Sequence, residues 1–317
     1  MNSTVNAQHP PSGIYAPAIT FFNPATDELD LDAQTKYYAY LAQHLHGLVI
    51  LGTNAETFLL TRSERSTLLR TARQAAGPNV HIMAGVGGHS TKQVLEFMRD
   101  AADAGANSAL VLPCAYFGKQ TTAAVVRAFY EQVADESPLP MLIYNFPGVC
   151  NGIDVESDVM ASLAKKYPGK IVGCKLTCAS VAKITRLAGE FTSDQFAVFG
   201  GQSDFLLAGM AVGSAGCVAA FANVFPKTIR KIYELEKAGQ HVEALKLHRV
   251  AAQAELCCKA GIATTKYATS LTSARAAGIE GPEELLRPRR PYGPPSDDVK
   301  KAIRDHLADM IAIEESL

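Results

Sequence analysis

Eight short apolar runs recur along the first two thirds of the chain, and they constrain its fold more than any other feature. Each run is rich in Val, Ile, Leu and Ala and is closed by Gly, Pro, Asn or Thr. So little alternation with polar residues is typical of strands that are buried on both faces. The runs are Ile14–Phe22, Gly47–Thr53, Val80–Gly87, Ser108–Pro113, Met141–Phe146, Ile171–Leu176, Phe196–Gly200 and Gly216–Phe221.

Helical segments separate the apolar runs. Thr61 and Glu64 have the spacing of a capping box, and Ser90 precedes another amphipathic stretch. Successive runs begin roughly 20 to 33 residues apart, which is the length of one strand and one helix. Eight buried parallel strands that alternate with helices have one closed solution, so we predict an α/β fold, a (β/α)8 TIM barrel over residues 14–235. An open, doubly wound sheet is the alternative, and the count of eight strands disfavours it.

The strand signal ends at about Val224. Three helical stretches follow, then the turn-rich segment Arg287–Pro295, and then a last helix that begins after Ser296. We therefore predict that residues 236–317 form a C-terminal helical extension, packed on the barrel or on a partner subunit. Residues 1–13 are expected to be a disordered or extended N-terminus.

Composition excludes several classes of protein. The 317 residues include 30 Lys and Arg against 31 Asp and Glu, a formal net charge of −1, so we expect no nucleic-acid partner. No apolar run approaches the roughly 20 residues that span a bilayer, so we expect no membrane partner either. The seven Cys form no CxxC pair, and residues 1–13 lack the pattern of a signal peptide. Reduced thiols and a cytoplasmic location are therefore expected.

Lys175 is the most informative single residue. It interrupts Ile171–Leu176, a run whose other residues indicate a buried strand. In a barrel of this kind the active-site side chains lie at the C-terminal ends of the strands, which is where Lys175 falls. Burial disfavours the charged ammonium form, and lysines that attack carbonyl carbons are activated in this way. A lysine that reaches solvent or pairs with a buried carboxylate is the structural alternative.

Polar residues also end two other strands. Tyr144 ends the run before that of Lys175, so neighbouring strands should bring its phenol near the amine, where it can move protons. A core tyrosine with a satisfied hydroxyl is the alternative. Thr53 and Asn54 follow a strand in a turn whose N–H groups and hydroxyl suit a substrate carboxylate, although the turn could equally be an ordinary loop. We expect Glu56 to hold this loop.

Weaker patterns favour structural roles. Gly85–Gly88 resembles a phosphate-binding loop, but it lacks the GxGxxG spacing and the following Lys-Ser/Thr pair, so tight packing is expected there. His44 and His46 have no companion ligand at metal-binding spacing. The sequence therefore predicts no metal site.

Five short motifs occur in an order that resembles one known family. The segments are Gly52–Glu56 (GTNAE), Tyr144–Pro147 (YNFP), Gly173–Lys175 (GCK), Gly200–Asp204 (GGQSD) and Gly213–Val218 (GSAGCV). They are similar, in this order, to the GTTGE-type turn, the YNxP, the GxK and the two later substrate loops of the dihydrodipicolinate synthase / N-acetylneuraminate lyase family. The order and spacing agree over nearly the whole chain.

This resemblance implies a homo-oligomeric barrel, a tetramer or a dimer, that acts on a small 2-oxo acid without a metal or any other cofactor. It implies that Lys175 binds pyruvate as an imine and that Tyr144 relays protons. Thr53 belongs to the implied catalytic set, and together with Asn54 it would bind the pyruvate carboxylate.

Other positions follow from the resemblance or depart from it. Main-chain groups near Gly201 and Cys217 would line the same pocket. Tyr116 is the residue available for the family's second relay tyrosine, one place away from the family's position.

The synthases carry an arginine two residues after the proline of YNxP, and here that position is Val149. Losing a guanidinium that binds a carboxylate disfavours dihydrodipicolinate synthesis.

With Asn54 in it, the Gly52–Glu56 turn resembles the corresponding turn of the 4-hydroxy-2-oxoglutarate aldolases and of the fungal 2-keto-3-deoxy-L-galactonate aldolases. We therefore expect a pyruvate-forming class I aldolase, with 2-keto-3-deoxy-L-galactonate cleaved to pyruvate and L-glyceraldehyde in D-galacturonate degradation. A 4-hydroxy-2-oxoglutarate aldolase is the first alternative. The second alternative is a dihydrodipicolinate synthase, and the third is a non-catalytic 2-oxo-acid binding protein.

Overall fold

A computed structural model describes residues 9–317 and contains a closed barrel of eight parallel strands. The strands are paired in chain order, and the last one closes the barrel by pairing with the first. They are β1 (Gly13–Pro17), β2 (Gly47–Ile50), β3 (His81–Gly85), β4 (Ser108–Val111), β5 (Met141–Asn145), β6 (Ile171–Leu176), β7 (Ala197–Gly200) and β8 (Gly216–Val218). The predicted (β/α)8 TIM barrel is confirmed.

One main helix follows each strand. These helices are α1 (Leu31–His44), α2 (Arg62–Ala76), α3 (Thr91–Asp103), α4 (Ala123–Glu136), α5 (Ser157–Lys166), α6 (Val181–Glu190), α7 (Leu206–Ala211) and α8 (Pro226–Lys237). The predicted capping box is present at α2, where Thr61 N donates to Glu64 Oε2 at 2.7 Å and Thr61 Oγ1 accepts from Glu64 N. Such caps satisfy N–H groups that have no partner inside the helix, so they fix where it begins.

The barrel has two apolar layers. Side chains from the strands fill its interior, and among them are Tyr15, Val49, Met83, Leu142, Val172, Phe199 and Val218. A larger cluster lies between the outer face of the strands and the surrounding helices. Both faces of each strand are therefore buried, which explains why the apolar runs do not alternate with polar residues.

The C-terminal helices pack on the barrel. They are α9 (His241–Glu255), α10 (Ile262–Leu271), α11 (Ser273–Ala276), α12 (Pro282–Leu285) and α13 (Asp297–Ser316). Glu314 in α13 accepts hydrogen bonds from the N–H groups of Lys227 and Thr228, at 2.9 and 2.8 Å, in the first turn of α8. A carboxylate at the N-terminus of a helix interacts favourably with the helix dipole. This contact fastens the last helix of the chain to the last helix of the barrel.

Two expectations concern the N-terminus and membranes. The expected disordered or extended segment 1–13 falls mostly on residues 1–8, which lie outside the described residues, and Gly13 already belongs to β1. Within residues 9–317, no helix combines the length and the apolar character that crossing a bilayer requires.

Candidate active site

A cavity of about 380 Å³ opens at the face of the barrel where the strands end. Residues at or just after the ends of six strands line it: Pro17, Thr53, Tyr144, Lys175, Gly201 and Ala220. This is the face on which barrels of this fold carry their active sites. Five residues predicted from the sequence are therefore brought to one cavity: Thr53, Asn54, Tyr144, Lys175 and Gly201.

Lys175, Tyr144 and Thr53 form a chain of polar contacts at the base of the cavity. Lys175 Nζ donates to Tyr144 Oη at 3.1 Å, and Tyr144 Oη lies 3.3 Å from Thr53 Oγ1. Both Lys175 and Tyr144 are 3% exposed, and the strand register pairs them directly. Within residues 9–317 no carboxylate lies within ion-pair distance of Lys175. The amine is thus buried beside a phenol, in an arrangement suited to carbonyl chemistry and proton transfer.

A β-bulge in β6 directs Lys175 into the barrel. Met141 of β5 pairs with Ile171 but Leu142 pairs with Gly173, so β6 carries one extra residue at this point. Val172 belongs to the interior cluster, and strict alternation from there would turn Cys174 inward. The extra residue shifts the phase, so that Lys175 faces the interior instead.

The turn after β2 is held by a buried ion pair. Thr53–Ala55 form a 3-10 turn, and Glu56 ends it with a left-handed backbone conformation at φ 57°. Glu56 Oε1 lies 2.6 Å from Lys266 Nζ, and Glu56 Oε2 accepts from Arg289 N at 2.7 Å. Both partners of the ion pair are buried, and burial lowers the pKa of Lys266. These contacts support the prediction that Glu56 holds this loop.

The side of the cavity formed by the C-terminal segment carries a second polar cluster. Lys259 Nζ lies 2.7 Å from Gln202 Oε1, 2.8 Å from Asp204 Oδ2 and 3.3 Å from Glu255 Oε1. Glu255 Oε2 accepts from Ser203 Oγ at 2.5 Å. Burial raises the pKa of the Glu255 carboxyl, because desolvation outweighs the attraction of Lys259. Gln202, Glu255 and Lys259 all line the cavity.

The structure does not bring two predicted residues to the cavity. Tyr116 is 73% exposed and lies outside it, with its ring 5.8 Å from that of His89. Cys217, whose main chain was predicted to line the pocket, is not among the residues that line the cavity; its side chain lies in the outer apolar layer, where burial raises the pKa of the thiol. His46 Nδ1 accepts from Ile14 N at 3.1 Å, which is a structural role. Among residues 9–317 no three His, Cys, Asp or Glu side chains are grouped as metal ligands.

The sequence model of the dihydrodipicolinate synthetase family matches residues 10–310. The chain belongs to that family. This membership confirms the resemblance inferred from the five motifs. A crystal structure of a dihydrodipicolinate synthase family protein from Coccidioides immitis superimposes with a TM-score of 0.92 at 58% identity, and the match covers 98% of this chain and 99% of that one.

Relatives named as aldolases match nearly the whole chain. An inferred mitochondrial 4-hydroxy-2-oxoglutarate aldolase of Coccidioides immitis is 62% identical over 309 residues, covering 97% of this chain and 98% of that protein. The L-threo-3-deoxy-hexylosonate aldolase of Hypocrea jecorina is 35% identical over 320 residues, covering 97% and 98%. These matches place the chain among the carbon–carbon lyases of the family. Its cytoplasmic location and homo-oligomeric state stay predictions.

Sequence reasoning missed the part of the site that comes from the C-terminal helices. Glu255 ends α9 and Lys259 lies in the 3-10 turn that follows. The active sites of barrels concentrate at strand ends, whereas these two residues lie beyond the last strand of the barrel. A Glu and a Lys four residues apart on a helix usually form an exposed pair, so their spacing alone carries no signal for a cavity.

Proposed function

We propose that this protein is a class I aldolase that cleaves 4-hydroxy-2-oxoglutarate to pyruvate and glyoxylate, with Lys175 as its nucleophile. The observation that carries the chemistry is the buried Lys175 amine, 3.1 Å from the Tyr144 hydroxyl. The substrate is supported by the 62% identical relative, whose name states that activity. The substrate carboxylate next to the carbonyl would bind at the turn of Thr53 and Asn54. The N–H groups of these two residues begin the turn and have no hydrogen-bond partner within it, so they are available to a carboxylate.

Covalent attachment makes the carbon–carbon bond breakable. Lys175 Nζ attacks the C2 carbonyl, and loss of water leaves an iminium ion. Tyr144 accepts the proton of the C4 hydroxyl and passes its own along the contact with Thr53. The electrons of the C3–C4 bond then move into the iminium, so that glyoxylate leaves and an enamine remains on Lys175.

The second half of the reaction restores the enzyme. Tyr144 returns a proton to C3 of the enamine, which regenerates the iminium. Water adds to C2, and cleavage of the C–N bond releases pyruvate and the free amine of Lys175. Because the iminium accepts the electron pair, no metal ion has a task in these steps.

A second candidate substrate is 2-keto-3-deoxy-L-galactonate, which the sequence alone placed first. Relatives named L-threo-3-deoxy-hexylosonate aldolase are 35% and 34% identical, well below 62%, so the comparisons favour the alternative. Dihydrodipicolinate synthesis is disfavoured by Val149, which presents an apolar side chain to the cavity where the synthases carry an arginine.

Borohydride trapping tests the nucleophile. Incubation with pyruvate followed by borohydride should add one reduced pyruvate unit to the tryptic peptide that contains Lys175. Lys175→Arg keeps the positive charge but should take up no adduct and should lose at least about 10³-fold in kcat. EDTA should leave the activity of the native enzyme unchanged. An adduct on any other lysine would refute this mechanism.

A substrate panel tests the specificity. Release of pyruvate, followed with lactate dehydrogenase, should give a higher kcat/KM for 4-hydroxy-2-oxoglutarate than for 2-keto-3-deoxy-L-galactonate and its C4 epimer. A higher value for one of the hexonates would replace the proposed substrate with the second candidate while leaving the imine chemistry intact.

A further inference from the structure

The cavity contains a cluster that the chemistry on Lys175 does not use. Its centre is the Lys259 ammonium, and its three acceptors are Gln202 Oε1, Asp204 Oδ2 and Glu255 Oε1, at 2.7, 2.8 and 3.3 Å. An ammonium group has three N–H donors, so these contacts use all of them. Lys259 is therefore arranged to hold its neighbours in place.

Lys259 fixes which way the Gln202 amide faces. A lysine ammonium can only donate hydrogen bonds, so the carbonyl oxygen of Gln202 must be the atom that faces it. The Nε2 group, with two N–H donors, is then directed away from Lys259. Because Gln202 lines the cavity, these two donors are left for a ligand that occupies it.

The backbone beside Gln202 is held by α9. Ser203 donates to Glu255 through both Oγ, at 2.5 Å, and N, at 3.3 Å. His248 Nε2 lies 2.7 Å from the carbonyl oxygen of Ser203. Donors that are held in place before a ligand arrives lose little conformational entropy on binding, which strengthens recognition.

Lys259 is already paired with Asp204 and Glu255, so the free N–H donors of the Gln202 amide, and not unpaired positive charge, suit this end of the cavity to one more carboxylate. Lys175 and Lys259 are the two Lys or Arg side chains among the described residues that line the cavity. The loop after β5 contributes the apolar Val149 at the mouth. Asp204 stands behind Lys259 and pairs with it.

We propose that Gln202, oriented by Lys259, forms a second subsite that binds the terminal carboxylate of a five-carbon 2-oxo diacid. This inference rests on the proposed function, in which that carboxylate leaves as part of glyoxylate. Gln202 is the specificity-determining residue, because its amide donates to the carboxylate. Lys259 is a positioning residue, because it holds the Gln202 amide in the orientation that presents its N–H donors.

A matched pair of unreactive ligands tests the subsite without turnover. 2-Oxoglutarate and 2-oxopentanoate have the same length and differ in the terminal carboxylate. The concentration of each that gives half-maximal borohydride trapping measures its affinity. Hydrogen bonds to a charged group are worth about 1.5–3 kcal/mol, so the native enzyme should prefer 2-oxoglutarate by roughly 10- to 100-fold.

Variants assign that preference to the two residues. Gln202→Leu and Lys259→Met should reduce the preference to less than about threefold, and Lys259→Arg should restore most of it, because a guanidinium also only donates hydrogen bonds. Trapping of pyruvate, which lacks the distal half, should be unchanged in all three. Gln253→Leu and Lys246→Met, at exposed positions of α9, are the controls and should behave like the native enzyme.

The outcomes separate this inference from the proposed function. A native enzyme without the preference for 2-oxoglutarate, or variants that keep it, would overturn the second subsite. Weaker pyruvate trapping in the variants would show a structural role for the cluster and would also overturn it. If the native enzyme prefers 2-oxoglutarate but does not cleave 4-hydroxy-2-oxoglutarate, the second subsite is supported and the proposed reaction is refuted.

Discussion

Removal of one oxygen atom, by Tyr144→Phe, should separate imine formation from carbon–carbon cleavage. The hydroxyl contacts Lys175 Nζ at 3.1 Å and Thr53 Oγ1 at 3.3 Å, so it links these two residues. The ring that remains keeps its packing in the barrel interior, where it lies 5.9 Å from the ring of Phe146. The change therefore deletes a proton carrier with little loss of apolar contact.

The expected losses differ greatly between stability and turnover. One net hydrogen bond contributes about 0.5–1.5 kcal/mol, so the free energy of unfolding should fall by about 1 kcal/mol. Positioned acid–base groups contribute about 10²- to 10⁴-fold in rate, which corresponds to roughly 3–5 kcal/mol of activation free energy. Cleavage needs this relay in both the bond-breaking and the protonation step, whereas the Lys175 amine can still form an imine.

Two assays on the same variant decide the point. The kcat for pyruvate release should fall by 10²- to 10⁴-fold, while borohydride trapping with pyruvate should still label Lys175. Tyr15→Phe is the matched control, because Tyr15 is another interior tyrosine and its hydroxyl donates instead to Pro11 O at 2.8 Å. It should keep native kcat. Turnover within about threefold of the native value in Tyr144→Phe would refute the assigned role.

Three further perturbations concern stability. Lys266→Met leaves the carboxylate of Glu56 buried without its cation, so urea unfolding should show a loss of about 3–5 kcal/mol, and a loss below about 1 would contradict this account. Gly173→Ala places a Cβ 2.3 Å from Ala197 O, a backbone atom, so the melting temperature should drop by an amount equivalent to at least about 1–3 kcal/mol; an unchanged melting temperature would argue against the close approach. Burial lowers the pKa of His81 to about 4, so between pH 6.5 and 4 the unfolded chain binds a proton that the folded chain does not. The free energy of unfolding should therefore decrease as the pH falls through that window, by on the order of 3 kcal/mol, and His81→Asn should flatten the slope.

Much of the barrel could be predicted because its strands are buried on both faces. Apolar composition and the turn residues that close each run located all eight strands, and Thr61 with Glu64 located the start of α2. The expectation that Lys175 and Tyr144 lie together follows from their position at the ends of neighbouring parallel strands. The proximity of two such strand ends depends only on the order of the strands along the chain, so it can be predicted from the sequence.

Other features depend on contacts between distant segments, and the sequence does not carry them. The bulge that turns Lys175 inward is a matter of pairing between β5 and β6, and its sequence cue is a single glycine, Gly173. Helix α9 ends at Glu255 and gives way to a 3-10 turn that begins at Leu256, and this change brings Lys259 to the cavity.

The two ends of the cavity are built by different parts of the chain. The amine and the phenol belong to strands inside the barrel, whereas Glu255 and Lys259 belong to a helix and a turn on its outside. Substitutions in that outer segment can therefore change which aldehyde is released without disturbing the atoms that break the bond. Divergence among enzymes built this way should accumulate in the outer segment first, and laboratory evolution toward a new substrate would do well to randomise it while leaving the strands alone.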